Sequence, residues 1–464
     1  MKLTNQLLQI ATKLAGSNGP KVVIIGAGFS GLAIAWHLGQ LGFNVTILEA
    51  SPRFGGRIET GKFSTGDSYE RGAAEFYDIT DCTYLKNLVK SLDLDTRPMK
   101  ATPYFVWHDT TLETKQSIRE ELGDAEVEAM DEFWKVGIGY RPVKDFANAS
   151  SLQDNEHPWL RKTYKSVLDK HLPSALGRAF TLMQGHSDLA TAPNRVNGVF
   201  GFDNLLIDDP KYCKFYLIKG GNDLLAKTLT QGNFDIVFGS SVSRIASTAS
   251  GFKVFYNGKS IDADAVVITT SPVAMDRYEF TDESLVEATQ AHSKHYSRMT
   301  NYLRVSFLFQ DRFWAKDFPE DYFVHDCFKG ATVYDQSWMN EGRGVLSWLL
   351  AGSEAADLSA LNDSDVIRAV IDQFPPAIKR KVHRGIDARV DRYMNGVSRQ
   401  PGGLPLLPYL QRHKPCEDKA LYFTGDYLYD ATINGAYESA CRVVDYIAKT
   451  YGKAIVHAGQ LQVP

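Results

Sequence analysis

Cysteine is scarce in this chain, and no two cysteines stand close together. The five among its 464 residues (Cys82, Cys213, Cys327, Cys416 and Cys441) lie far apart, with no C-x-x-C pair. An odd, scattered set excludes a disulfide framework and points to reduced thiols in a cytoplasmic protein. Long apolar runs are also missing. No uninterrupted stretch approaches the roughly 20 residues that cross a bilayer, so no membrane span is expected. Charge of one sign nowhere accumulates: the formal net charge is -4, with acids and bases mixed along the chain. Without a basic block, a nucleic-acid partner is not expected. The histidines make no H-E-x-x-H or other metal spacing, and "HSKHYS" at 292–297 reads as a solvated linker. No metal site is expected. No G-x-S-x-G occurs, which leaves a hydrolase triad unsupported.

What is present is an ordinary globular composition, 44% hydrophobic and 23% charged. The length implies two or three domains. A small-molecule substrate is the expected partner, and a homodimer is compatible with these numbers. Residues 1–19 read as an amphipathic N-terminal helix, with Leu3, Leu7, Leu8, Ala11 and Leu14 at helical spacing.

The informative stretch is "VVIIGAGFSG", Val22 to Gly31. Lys21–Ile25 is continuous and β-branched, which predicts a buried parallel strand. Ser30 to Leu41 reads as a helix stopped by Gly42, and Phe43 to Leu48 as a second strand. Strand, glycine turn, helix and strand form the context that a G-x-G-x-x-G fingerprint requires. Gly26 permits the tight turn, Gly28 lets a pyrophosphate approach the backbone, and Gly31 allows close helix packing. The helix N-terminus offers free N–H groups to the phosphates. Glu49 ends the second strand, where a carboxylate accepts ribose hydroxyls and repels a 2′-phosphate. The nucleotide is therefore FAD or NAD, not NADP.

"EASPRFGGRIET" follows at once, with Gly55, Gly56 and Arg57. This element resembles the "EA…GGR" stretch of the flavin-containing amine oxidase superfamily. That group spans monoamine, polyamine and L-amino acid oxidases and, more distantly, phytoene-desaturase-like enzymes. The resemblance selects FAD, with Arg57 at its pyrophosphate, and implies a discontinuous Rossmann-like FAD-binding domain. "YERGAAEF", with Ala74, is similar to the segment that passes the flavin ring. "IKGGNDLLAKTL" and "DIVFGSSVSRIA" are similar to later elements of that family, and Val242 would hold the adenine by backbone hydrogen bonds. "ADAVVITTSPVAM" is similar to the strand and loop that follow. "LYFTGDYLYDATINGAYESACRVVDYIAK" resembles the C-terminal flavin element. There Gly425 allows close approach and Asp426 would reach the ribityl or pyrophosphate end. A helix beginning near Thr432 and Ile433 would aim its dipole at the flavin.

The expected class is α/β. The FAD-binding domain would comprise 20–100, 215–275 and 395–464. A mixed-sheet and helical substrate domain would comprise 101–214 and 276–394, with Glu113 to Lys135 charged and helical. The site would lie between the two.

Three departures separate this chain from monoamine oxidases. Many amine oxidases place a lysine near flavin N5, and counting back from Trp314 puts Arg304 there. Arginine cannot relay a proton, but it holds a water or binds a carboxylate. The aromatic cage position before the last helix is Thr432, leaving Tyr393 or Tyr429 for the other wall. "NGVSRQPGGLPLLPYL" has no cysteine, so FAD is expected to be non-covalent. Trp348 and Tyr334 read as sheet-core aromatics. Arg71, Arg304 and Arg399 near the expected site favour an amino acid over a plain amine. The reaction expected is oxidation of a C–N bond by hydride transfer to flavin N5, with oxygen giving hydrogen peroxide. The alternatives are a flavin desaturase or isomerase acting on C–C bonds, and a non-catalytic FAD-binding protein.

Overall fold

A computed structural model describes residues 19–102, 104–146, 157–296, 299–398, 409–429 and 431–452. The expected N-terminal helix and Arg399 lie outside the described residues. The first strand, Lys21–Ile25, sits at the centre of a five-stranded parallel sheet. Its order is Asp235–Val237, Asn44–Leu48, Lys21–Ile25, Ala265–Ile268, Leu421–Phe423. A strand buried on both faces needs apolar side chains at every position, which the run Val-Val-Ile-Ile supplies. Val22 and Ile24 pack under the helices Phe29–Gln40 and Ile433–Thr450. Val23 and Ile25 pack on the opposite face against a four-stranded sheet that contains Val242–Thr248.

The second large sheet has seven strands. Its order is Gly385–Ser398, Met299–Phe309, Gly344–Ala351, Ala331–Asp335, Tyr322–His325, Phe105–Trp107, Thr110–Leu112. All pairs are antiparallel except Tyr322–His325 with Phe105–Trp107. Period-two alternation sorts the strand "MTNYLRVSFLF". Leu303, Val305 and Phe307 enter an apolar core with Trp348 and Phe374. Arg304 and Ser306 face the other way, where the Ser306 and Ser347 hydroxyls meet at 2.6 Å. A helical layer covers one end. The charged stretch expected as one helix is two, Lys115–Leu122 and Asp124–Tyr140, broken at Gly123 with φ +94°. Thr114 caps the first by accepting the Ser117 N–H at 3.1 Å.

One further segment behaves differently from its sequence reading. "HSKHYS" is not a solvated linker: its described part ends the helix Glu283–Tyr296, with His292 buried and bonded to the Tyr427 hydroxyl at 3.1 Å. That helix packs Leu285 and Tyr296 beside Val23 and Ile25, on the parallel-sheet side.

The hairpin Thr60–Lys62 and Ser68–Glu70 joins the two halves. Glu70 N–H donates to Gln336 Oε1 of the seven-stranded sheet at 2.9 Å. The Glu70 carboxylate is fully buried and accepts from the Asn222 N–H at 2.8 Å and the Thr60 hydroxyl at 3.0 Å. Burial dominates these bonds and pushes its pKa up to about 8. Between the ordinary carboxyl pKa and about 8 the folded state holds a proton that the unfolded chain has lost. Folding stability therefore declines as pH rises through that window. Glu70→Gln is expected to flatten this decline and to raise the melting temperature at pH 8, measured by thermal scans from pH 5 to 8.

Candidate active site

Between the parallel sheet and the seven-stranded sheet lies a cavity of about 600 Å³. Three glycine-rich or helix-opening segments form its floor. In the first, Gly26 has φ +108°, and a Cβ there would stand 2.6 Å from Thr269 Oγ1. A Cβ on Gly31 would stand 2.1 Å from the Gly26 carbonyl oxygen, so the helix seats directly on the turn. Gly28 differs: its nearest neighbour would be Gly56 Cα at 4.0 Å, and it lines the cavity. The open side of Gly28 is thus a cradle that a side chain would fill. Gly28 also precedes the helix Phe29–Gln40 without any side-chain cap, leaving first-turn N–H groups at the cavity.

Glu49 lines the same space. Its carboxylate accepts the Ala27 N–H at 2.7 Å and the Ser51 N–H at 2.8 Å, which orients it at the strand end. In the second segment, Gly55 N–H donates to the Ala27 carbonyl at 2.8 Å and clamps the two loops together. Gly56, at φ +59°, completes the narrow contact with Gly28. Arg57 forms a bidentate pair with Asp426, at 2.8 and 2.7 Å, and also donates to the Gly396 carbonyl at 2.7 Å. Desolvation by the surrounding loops would lower the guanidinium pKa, but the side chain is half exposed to the cavity, and Asp426 outweighs the effect and holds the value raised. Arg57 and Asp426 were expected to reach the cofactor separately; they line the cavity as one ion pair.

The third segment is C-terminal. Gly425 N–H donates to Ser439 Oγ at 3.0 Å, and a Cβ on Gly425 would meet the Tyr427 ring at 2.7 Å. Thr432 caps the helix Ile433–Thr450 by accepting the Gly435 N–H at 3.3 Å. Thr432, Ile433 and Ala436 line the cavity, so the positive end of this helix faces it. Ala74, nearly buried, lines the wall between the floor and the chamber above. Val242 is expected to act through its backbone, and its side chain does not face the cavity. It is packed in the core with Ile25 and Leu48 and is not among the lining residues.

Above this floor the walls come from the seven-stranded sheet. Arg304 lines the cavity and is 3% exposed. Its Nε and Nη1 have no hydrogen-bond partner, and its Cζ lies 5.1 Å from the centroid of the Tyr334 ring. Tyr393 lines the wall, and its hydroxyl donates to the Arg71 carbonyl at 2.8 Å. Tyr429 does not line it: it is buried with its hydroxyl 3.1 Å from His413 Nε2. Trp348 is a core residue, whereas Tyr334 is a wall of the cavity. Of the arginines singled out in the sequence, Arg71 is held by Asp391 and by Glu59, the latter at 2.8 Å.

Several lining residues carried no sequence signal. Tyr302 and Tyr427 add aromatic wall, and Glu75, Tyr77 and Asp188 close the far end. Glu75 Oε1 accepts the hydroxyls of Tyr77 and Tyr334, each at 3.1 Å. Burial raises the Glu75 pKa and the charge of Arg304 opposes that rise. Of these, Glu75 alone carries a local signal, an acid directly after two alanines in "YERGAAEF".

A glycine turn, a carboxylate at a strand end and two helix N-termini open onto one cavity, which the seven-stranded sheet walls on its other side. These parts fit a flavin: the Gly28 cradle admits phosphates, Glu49 suits a ribose, and the Thr432 helix end suits a ring that gains negative charge. The chain belongs to the flavin containing amine oxidoreductase family, whose pattern matches residues 29–448. It is 24% identical over 391 residues to probable polyamine oxidase 4 of Arabidopsis thaliana, covering 77% of this chain and 72% of that one. It is 24% identical over 482 residues to the flavin-dependent L-tryptophan oxidase of Lentzea aerocolonigenes, covering 93% and 99%. Among solved structures, putrescine oxidase bound to putrescine superposes with a TM-score of 0.76 at 17% identity, covering 93% and 99%. Cyclohexylamine oxidase from Brevibacterium oxydans superposes at 0.74 with 19% identity, covering 94% and 100%. The chain is an oxidoreductase of this flavin-dependent amine-oxidising family. Among the described residues no helix is long and apolar enough to cross a membrane.

Proposed function

We propose that this chain binds FAD non-covalently and oxidises the C–N bond of an amino acid, with dioxygen as acceptor. The observation that carries the substrate is Arg304. A buried guanidinium with two unpartnered nitrogens is costly to keep unless a ligand completes it. A carboxylate matches that fork with charge-assisted bonds. When bound, the flavin supplies the two-electron acceptor for the C–H bond beside the amine nitrogen, and dioxygen leaves as hydrogen peroxide.

The remaining roles belong to the chain. Glu49 holds the adenosine ribose, while the Gly28 loop and the first turn of its helix hold the pyrophosphate. The helix opening at Thr432 favours the negative charge of the reduced ring. Arg304 holds the substrate carboxylate, and Tyr302, Tyr393 and Tyr427 exclude water from the reacting carbon. Non-covalent attachment is supported by the five buried cysteines, which form no disulfide and none of which lines the cavity. Those thiols also fit a cytoplasmic protein. A desaturase tunnel would be apolar, whereas Arg304 and Glu75 face this chamber. The nucleotide-binding part extends to residue 296, because the helix Glu283–Tyr296 packs on the parallel-sheet side. The substrate part takes 101–214 and 299–394.

The balanced reaction is amino acid, oxygen and water giving 2-oxo acid, ammonia and hydrogen peroxide. An oxygen electrode with coupled peroxide and ammonia assays tests it. The expected outcome is equal yields of both per oxygen consumed. Turnover of amines lacking a carboxylate, with no amino acid consumed, would refute the reading.

A further inference from the structure

Behind Tyr334 the cavity leads to a second, small chamber. Glu75, Tyr77, Asp188, Ile207 and Tyr334 line both spaces. The chamber adds Asp208 and encloses about 20 Å³, room for one water molecule or one ammonium group. Three carboxylates thus surround a space of that size. Asp208 Oδ1 accepts the Tyr322 hydroxyl at 2.7 Å. Glu75 Oε1 accepts two tyrosine hydroxyls, while Glu75 Oε2 is buried with no hydrogen-bond partner. Among the described residues no group of three or more acids, histidines and cysteines is placed to hold a metal ion. The tyrosine walls suit an organic cation instead.

Arg304 stands against the ring of Tyr334, whose hydroxyl meets Glu75. It is buried, and it is unpartnered at Nε and Nη1. Arg304 and Glu75 do not bond to each other; each instead meets Tyr334, Arg304 at its ring and Glu75 at its hydroxyl. One cavity therefore holds an unsatisfied cation and an unsatisfied carboxylate oxygen, both next to a single tyrosine. A neutral ligand leaves both uncompensated, and a simple amine leaves Arg304 so.

We propose that Arg304 takes the substrate's carboxylate while the Glu75, Asp188 and Asp208 chamber takes a terminal ammonium, so that the substrate class is an amino acid with an ammonium-bearing side chain. This rests on the amino-acid reading above. Burial raises the Glu75 pKa and lifts that of Asp208 to about 7. An arriving ammonium supplies the countercharge, and the carboxylates release their protons to solvent as it binds.

The test compares kcat/KM of the FAD-loaded full chain on L-lysine, L-ornithine, L-norleucine and cadaverine. Norleucine keeps the length of lysine without its ammonium, and cadaverine lacks the carboxylate. Lysine or ornithine is expected to exceed norleucine and cadaverine by at least ~100-fold, as buried groups left unpaired discriminate strongly. Asp208→Asn is expected to cut the lysine-to-norleucine ratio by ~10-fold or more, with the flavin absorption band reporting an intact holoenzyme. Norleucine or cadaverine matching the basic amino acids would overturn the proposal while leaving C–N oxidation standing. An unchanged ratio in Asp208→Asn would overturn it as well. Failure to oxidise any amino acid would remove the amino-acid reading and this proposal with it.

Discussion

Purified Gly28→Ala protein is expected to be colourless and folded. The two halves of that result come from different facts. Gly28 has φ −68° and ψ 174°, a backbone conformation open to any residue. Its Cβ would meet nothing closer than 4.0 Å, so the polypeptide accommodates the methyl group. The methyl group instead occupies the cradle proposed to receive the cofactor's phosphates at the helix N-terminus. Losing two charge-assisted N–H bonds at roughly 1.5–3 kcal/mol each weakens FAD binding by about 3–6 kcal/mol, at least ~100-fold. Gly31→Ala is the contrast. Its Cβ would stand 2.1 Å from the Gly26 carbonyl oxygen, so this variant loses the fold along with the cofactor. Far-ultraviolet circular dichroism and bound-flavin absorbance separate the two. Yellow Gly28→Ala protein with wild-type FAD affinity would mean that the pyrophosphate lies elsewhere.

Arg304→Met is expected to keep FAD, gain thermal stability and lose amino-acid turnover. A guanidinium that is 3% exposed and unpartnered at two nitrogens destabilises the free enzyme. Attraction to Glu75 and Asp391 offsets only part of that cost, since neither bonds to it. Methionine fills similar volume without charge, and replacements of buried ionic groups by apolar ones often stabilise by about 1–4 kcal/mol. The same exchange removes the proposed carboxylate anchor. Truncating one partner of a buried charge pair costs about 2–5 kcal/mol, so kcat/KM for amino acids falls ~100-fold or more. Opposite signs for stability and activity mark a group kept for its ligand. A destabilised variant with unchanged KM would make Arg304 a structural residue instead.

The nucleotide half was legible because its signals are local. A β-branched run, glycines at set spacing and an acid at the next strand's end lie within thirty residues (Lys21 to Glu49). Thr432 was legible as the start of an apolar helical stripe. The chamber was not legible in the same way. Its walls come from segments around residues 75, 188, 207, 304, 334, 393 and 427, and alternation identifies a strand without saying which face meets a cavity. Tyr334 sits in "ATVYD", buried throughout, and so reads as core. The Arg57–Asp426 pair joins residues 369 apart, and no periodicity announces it. His292 looked solvated because its neighbours are polar, yet it meets Tyr427 under the C-terminal segment. Val242 is near the Glu49 turn, where Ser240 N–H donates to the Glu49 carbonyl at 2.7 Å, but its own side chain belongs to the core.

The central claim is that this chain uses its flavin to oxidise a carboxylate-bearing amine. Anaerobic titration of the yellow holoenzyme tests it most directly, following the flavin absorption band as L-amino acids and then the corresponding decarboxylated amines are added. Bleaching by amino acids, restored by air and absent with the decarboxylated amines, is the expected result. A flavin that dithionite reduces but that no amino acid bleaches would contradict the account.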